Sequence, residues 1–440
     1  MKIVIIGNGI GGITAARNIR KQSDHEILVI SAESDYFFSR TALMYVYMGQ
    51  MKFEHTQPYE NWFWEKNRIS LLNAYVKSVD FEKQTLHTAN GQKISYDKLI
   101  IATGSVPKKI GLSGEGLKGV QSLYSKQDLE LLEQNSGDVK EAVIVGGGLI
   151  GIELAEMLRS RNIKVSILSR ENAYWNSVLP QEEAQMISRH IAEHHINLIA
   201  NTELGKILDD GSGSVKGIIT KKGAEIPCQL LLISIGVQPN INFLKNSALA
   251  INKGVLVNEF LETNITNVYA LGDCAEFENP KLLHPPIEQL WYTAQMQGEA
   301  LANTICGHRQ TYRRGVWFNS AKFLDIEYQT YGCMFKQPLA DEETFYWEHS
   351  SGRKAFRANF EKESGALRGF NFLGIRFNHP VANRWISEKR NIGLCIAELK
   401  KGVFDAEFSK QHHRKIADEF FRQFPAYAKT QKTNKLKFWM

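Results

Sequence analysis

A chain of 440 residues, 43% of them hydrophobic and 23% charged, has room for roughly two to four domains with large buried cores and is not the composition of a disordered chain. Its formal net charge of +6, from 53 basic and 47 acidic residues spread along the length, favours acidic partners without marking a nucleic-acid binder. Five cysteines, none in a C-x-x-C pair, argue against a disulfide framework and for a cytoplasmic setting, and no apolar run reaches the length of a bilayer span.

The first predicted element is the strand Lys2 to Ile6, which begins too early to leave room for a targeting peptide. The turn Gly7-Asn8-Gly9-Ile10-Gly11-Gly12 follows, then a helical pattern from Ile13 to Lys21 and a strand from Glu26 to Ile30. Strand, glycine turn, helix and strand together form the context in which G-x-G-x-x-G signifies dinucleotide binding. The segment Tyr75 to Asp80, which includes Val76, alternates as a strand, and Asn90-Gly91 reads as a turn. A buried strand runs through Leu99-Ile100-Ile101 into Ala102-Thr103-Gly104.

The plan then repeats. Glu141 to Val145 is a strand, Gly146-Gly147-Gly148-Leu149-Ile150-Gly151 the turn, Ile152 to Arg161 the helix and Lys164 to Leu168 the next strand. Val29-Ile30-Ser31-Ala32-Glu33 matches Ile167-Leu168-Ser169-Arg170-Glu171 in register, and Ala16 matches Ala155 four positions past the third glycine. This is duplication of a large βαβ module rather than of a short solenoid unit. In each copy the first glycine permits the tight turn, the second lets backbone approach a pyrophosphate and the third lets helix and strand pack. The helix N-terminus adds unpaired N–H groups and a positive dipole end. Glu33, with Ala32 in the competing register, is the candidate acid for the ribose hydroxyls of the first nucleotide. In the second copy Glu171 would favour NADH, whereas Arg170 could pair with a 2′-phosphate and favour NADPH, and the two stay open.

A second buried strand, Leu230 to Gly236, leads into Gly236-Val237-Gln238-Pro239-Asn240, and Val268 to Ala270 leads into Leu271-Gly272-Asp273-Cys274. From about residue 316 the pattern changes to alternating strands rich in aromatics and then a basic helix. The fold class expected is therefore α/β, with two Rossmann-like dinucleotide-binding domains and a C-terminal α+β domain. Residues 1–122 and 250–315 are assigned to the first, 123–249 to the second and 316–440 to the third, with a basic helical tail.

These motifs, in this order over residues 1–315, resemble the pyridine nucleotide–disulfide oxidoreductase superfamily. The likeness extends to nitrite reductase flavin subunits, rubredoxin reductases and ferredoxin reductases. It implies FAD on Gly7, Gly9, Gly11, Gly12, Glu33 and Val76, on Ala102-Thr103-Gly104 and on Gly272-Asp273. It implies NADH or NADPH on Gly146, Gly148, Leu149, Ile150 and Gly151, with Glu153, Arg170, Glu171 and Gly236 nearby. Ser39-Arg40-Thr41-Ala42-Leu43-Met44-Tyr45 resembles a flavin-side segment of the family, with Thr41 in place of proline and Tyr45 where some members carry lysine. Glu288-Gln289-Leu290-Trp291-Tyr292 resembles the helix that closes the flavin site, though Trp291 and Tyr292 could equally be core aromatics. Arg40 and Glu153 are the side chains expected near the flavin–nicotinamide contact, in positioning and electrostatic roles.

Residues 34–60 contain no cysteine, so the thiols of the disulfide reductases and peroxidases are missing and Cys274 is expected only to pack. The resemblance then implies electron flow from NAD(P)H through flavin to an acceptor, foremost a small carrier such as rubredoxin or ferredoxin. Two further readings are a membrane-surface quinone reductase and a nicotinamide-sensing flavoprotein like apoptosis-inducing factor. The first is motivated by the stripe Ile416, Phe420, Phe421 and Phe424 and by Lys429, Lys432, Lys435 and Lys437 around Phe438-Trp439; helix docking on the third domain is favoured over membrane contact. The third domain of such proteins often carries a homodimer interface. The pairs His194-His195 and His412-His413 lack further ligands at metal spacing and are read as solvated faces, so no metal is expected.

Overall fold

The computed structural model describes residues 1–281, 284–404 and 411–429. Two five-stranded parallel sheets carry the duplicated modules. In the first, Lys2–Ile6 lies at the centre, with Glu26–Ser31 and then Ile69–Asn73 on one side and Lys98–Ile101 and then Val268–Ala270 on the other. In the second, Glu141–Val145 is central, flanked by Lys164–Leu168 and Asn197–Ile199, and by Leu230–Ile233 and Val120–Gln121. The central strands are apolar at nearly every position and almost wholly buried. That is the pattern of a parallel strand covered on both faces.

The fifth strand differs in origin. The first sheet takes Val268–Ala270 from late in the chain, and the second takes Val120–Gln121 from before its own central strand. Val120–Gln121 therefore pairs with the second sheet, although the sequence boundary had grouped it with the first unit. Two connecting segments between the units pair as well, Ser105–Pro107 against Val237–Pro239.

Both crossover helices begin inside the glycine turns, earlier than the apolar periodicity indicates: Ile10–Gln22 and Leu149–Ser160. The missing side chains at the glycines hide these first turns from a periodicity reading. A long helix, Trp291–Ile305, packs across Ile10–Gln22. Gly298 permits the crossing, because a Cβ there would stand 2.6 Å from the Gly11 carbonyl.

The C-terminal unit is a five-stranded antiparallel sheet in the spatial order Phe318–Phe323, Ile326–Gly332, Leu367–Leu373, Ala355–Glu361, Glu342–Glu348. Its aromatic side chains form one core with the helices His379–Ser387, Ile392–Ala397 and His413–Gln423. Ile416 and Phe420 are buried there, with Phe421 and Phe424 packed against the same cluster. The apolar stripe that motivated the membrane reading is thus spent on the fold. Lys432, Lys435, Lys437, Phe438 and Trp439 lie outside the described residues. Among the described residues no helix is long and apolar enough to cross a membrane.

The other face of this sheet meets the second unit. Phe323, Ile326 and Tyr328 share a core with Ile144, Leu158 and Ile187. The Arg357 guanidinium donates to both oxygens of Glu183, at 2.7 and 2.8 Å, within this contact.

Candidate functional site

The two glycine turns are built alike, and the likeness is atomic. Gly7 N–H donates to the Ile30 carbonyl and Gly146 N–H to that of Leu168. A Cβ on Gly7 would stand 2.1 Å from the Ala102 carbonyl oxygen, and one on Gly146 2.3 Å from that of Ser234. A Cβ on the third glycine would strike the first glycine's carbonyl, at 2.1 Å for Gly12 and 2.5 Å for Gly151. The first and third glycines are therefore demanded by packing of strand, turn and helix. Ala102-Thr103-Gly104 and Ser234-Ile235-Gly236 occupy matching places, each at the end of the strand that crosses a glycine turn.

The second glycines differ from these. Nothing stands within 4 Å of a Cβ on Gly9, and only the Trp175 ring nitrogen, at 4.0 Å, approaches one on Gly148. A side chain at either place would meet open space rather than packed protein. Each of these glycines is the N-cap of its helix, with no side-chain cap and no acid in the first turn. The free N–H groups of both helices suit a phosphate. The acids correspond too. Glu33 N–H donates to Ser31 Oγ and Glu171 N–H to Ser169 Oγ, both at 3.2 Å, so the register read in the sequence is the register of the fold.

A cleft of about 700 Å³ opens along the first turn, within the size range of small-molecule sites. Gly7, Gly9, Gly11, Glu33, Arg40, Val76, Ala102, Thr103, Gly104, Gly272, Asp273, Gln289, Leu290 and Trp291 line it, and Ile150 and Glu153 reach it from the second unit's helix. Gly12 is packed beneath the turn. Gly146, Gly148, Leu149, Gly151, Arg170, Glu171 and Gly236 are not on its walls. Arg170 is exposed at its strand end, and the Glu171 carboxylate accepts the Ser177 N–H at 2.6 Å. Among the described residues no cysteine lines the cleft. Cys274 is fully buried, with its thiol against the Leu271 and Ile101 carbonyls, and burial pushes it up, so it packs.

The polar groups of the cleft form two sets. In one, Arg40 donates to both oxygens of Glu33, at 2.8 and 2.6 Å, and to the Tyr124 carbonyl at 2.5 Å. Its guanidinium is held between the rings of Phe38 and Tyr124. In this set Gln289 donates to Ser105 Oγ, which donates to Asp273, both at 2.9 Å. Burial raises Asp273 above its ordinary value and pushes the nearby Tyr124 hydroxyl up to about 12. Gln297, fully buried, accepts the Gly272 N–H at 2.7 Å and donates to Glu288, which also meets Tyr312 and Arg314. The Glu288-to-Gln297 segment thus clamps the Gly272-Asp273 loop. Trp291 is not a core aromatic, since it is 36% exposed at the rim.

The second set is Glu153. Burial, with Glu156 adding to it, pushes its carboxyl up to about 7, and Lys322 opposes the shift. Lys322 pairs with Glu156 at 2.7 Å and comes from the first strand of the C-terminal sheet. Arg40 and Glu153 line the same cleft, but Arg40 is bound to Glu33 while Glu153 answers to Glu156 and Lys322. They are two local systems rather than one catalytic pair.

Sequence reasoning missed Tyr124, Ser105, Lys322 and Trp175. Ser105 lies in the run after Ala102-Thr103-Gly104 and was within reach. The others come from segments without a motif. His194, read as half of a solvated pair with His195, instead faces His190 and Asp325.

A family model described as pyridine nucleotide-disulphide oxidoreductase matches residues 1–298. The chain is 28% identical over 312 residues to the assimilatory nitrate reductase electron transfer subunit of Bacillus subtilis, an alignment covering 70% of this chain and 39% of that one. It thus spans about two fifths of that relative's length. It is 29% identical over 314 residues to the rubredoxin-NAD(+) reductase of Acinetobacter baylyi, covering 69% and 78% of the two chains. The fold matches a ferredoxin reductase from Rhodopseudomonas palustris with a TM-score of 0.78 at 22% identity, over 94% of this chain and 99% of the other.

Proposed function

The chain belongs to the pyridine nucleotide-disulphide oxidoreductase family, and from that premise we propose that it is an FAD-dependent NAD(P)H oxidoreductase serving a small redox carrier protein. The carrying observation is the cleft itself. It runs from an uncapped helix N-terminus with an open second glycine to the buried carboxyl of the second module's helix, and no sulfur nucleophile lies along it. When bound, FAD would take a hydride from reduced nicotinamide and give electrons up singly, which suits a one-electron carrier. Gly7, Gly9 and the first turn of Ile10–Gln22 would hold its pyrophosphate, with Glu33 on the ribose and Asp273 on the far side. Arg40 fixes Glu33 in place and neutralises it. Gly146, Gly148 and Gly151 would hold the nicotinamide nucleotide, with Glu171 and Arg170 as the alternative readers of its ribose. Glu153, poised near neutrality, sets the charge where the two nucleotides would meet.

With no dithiol in between, the acceptor must be served at the cleft mouth, where Trp291 is exposed. Electron carriers of this size are commonly acidic, and the net charge of +6 favours their approach. Five free cysteines suit a reducing, cytoplasmic compartment. The test is an acceptor panel under anaerobic conditions. The flavin should bleach rapidly with NADH or NADPH, and turnover should follow with rubredoxin or a [2Fe–2S] ferredoxin. Bleaching with neither nucleotide would sink the enzyme reading, and turnover confined to quinone in liposomes would sink the carrier.

A further inference from the structure

The helix Gln181–Glu193 ends in Arg189-His190-Ile191-Ala192-Glu193-His194. His190 and His194 are four residues apart and share a face, the spacing with which a helix presents two imidazoles to one metal ion. Opposite them stands Asp325, in the two-residue turn between Phe318–Phe323 and Ile326–Gly332. One Asp325 oxygen contacts Nε2 of both rings, at 3.1 Å from His194. The three ligand atoms all lie within 4.8 Å of one another. Ligands of tetrahedral zinc, at bonds of roughly 2.0–2.2 Å, sit roughly 3.4 Å apart, so small side-chain movements suffice.

We propose that His190, His194 and Asp325 form a zinc-binding site that pins the C-terminal sheet to the second nucleotide-binding module. Two imidazoles and a carboxylate are the ligand chemistry of zinc and its neighbours rather than of magnesium or calcium. The surroundings also suit a cation. The Nδ1 of His190, a ring only 1% exposed, faces the Glu193 carboxylate at 3.5 Å. A carboxylate behind a ligating imidazole is the usual outer partner of a metal-bound histidine. The site lies at the C-terminal end of its helix, where the dipole favours positive charge. Glu193 and Asp325 face one guanidinium, Arg353, at 3.1 and 3.5 Å, which leaves the cluster net negative while its imidazoles are neutral. His194 and Asp325 are part exposed, at 37% and 54%, so an ion has an entry path and solvent can complete its coordination. Asp325 is three residues from Lys322 on the same strand and turn. A metal there would hold in register the lysine that opposes the charge shift at Glu153.

The test uses full-length, flavin-loaded protein stripped with chelator and dialysed against zinc chloride, with bound metal counted by mass spectrometry. One zinc per chain is expected, with affinity lowered at least tenfold in His194→Ala and Asp325→Asn, and with zinc raising the thermal unfolding midpoint of the parent protein alone. No retained zinc, or zinc binding in both variants as tight as in the parent protein, overturns the proposal. Should the variants lose flavin and prove misfolded, the parent protein decides: zinc must shield His194 from diethyl pyrocarbonate as mapped by peptide mass, and an unshielded His194 overturns the site.

Discussion

Among the glycines of the first turn, Gly7, Gly11 and Gly12 are held by packing and Gly9 faces open space, and substitution separates the two kinds. Gly12→Ala would drive a methyl group into backbone, 2.1 Å from the Gly7 carbonyl, and should cost more than about 4 kcal/mol. Gly9→Ala meets open space and should cost the apoprotein no more than about 1 kcal/mol, the loss expected for alanine at an N-cap, while flavin affinity falls roughly tenfold. Thermal unfolding of apoprotein and a flavin fluorescence titration read the two effects apart; undiminished flavin binding in Gly9→Ala would remove the first turn from the site. Glu153 carries the pH dependence. Its carboxyl is raised to about 7, so it is neutral below and ionised above that pH. An ionised carboxylate attracts the positive nicotinamide ring of the oxidised nucleotide. Affinity of the holoprotein for NAD⁺ should therefore rise with pH through about 7, by roughly tenfold for an attraction of about 1.4 kcal/mol. Glu153→Gln should flatten the profile, and a surviving slope would assign the titration elsewhere.

At the scale of elements, the sheets and their crossover helices follow from apolar runs and turn chemistry, and the sequence made them legible. The strand Lys164–Leu168 falls where its pattern puts it, and the strand Glu141–Val145 beside it is buried along almost its whole length. What escaped was shorter or tied to remote chain. Val120–Gln121 is a two-residue strand with no pattern of its own, and only the exposed edge beside Leu230–Ile233 makes it one. The contact between the second module and the C-terminal sheet also rests on residues with no local signal. The Arg357 side chain is 4% exposed and that of Glu183 0%, so the pair is desolvated and each member depends on the other. Arg357→Met should destabilise the protein by about 3–5 kcal/mol, because it strands a buried carboxylate. The double variant Arg357→Met with Glu183→Leu should recover most of that loss. Unfolding midpoints of the three proteins test it, and equal losses in the single and double variants would contradict it.

For the whole molecule, the C-terminal sheet contributes a charge to the second module's helix. Lys322 arrives from a strand far along the chain to pair with Glu156 and oppose the rise at Glu153. Removing the charge with Lys322→Met should let the Glu153 carboxyl rise further. The midpoint of the NAD⁺ affinity profile should then move to higher pH while the flavin stays bound. A midpoint that stays near 7 would mean that solvent already screens Lys322 from Glu153.

Taken alone, the sequence determined whatever is written in local chemistry. The two glycine turns, their acids at matching offsets and the missing thiols can all be read from spacing, because a tight turn, a bare helix N-terminus and a sulfur nucleophile each require particular residues at particular positions. Tertiary structure alone decided how those pieces are charged and held. Arg40 is bound to Glu33, Lys322 answers Glu156 from another sheet, and His194 finds Asp325 across 131 residues. Ion pairs and side-chain clusters of this kind depend on distance through space, which one-dimensional order does not encode until the sheets have packed.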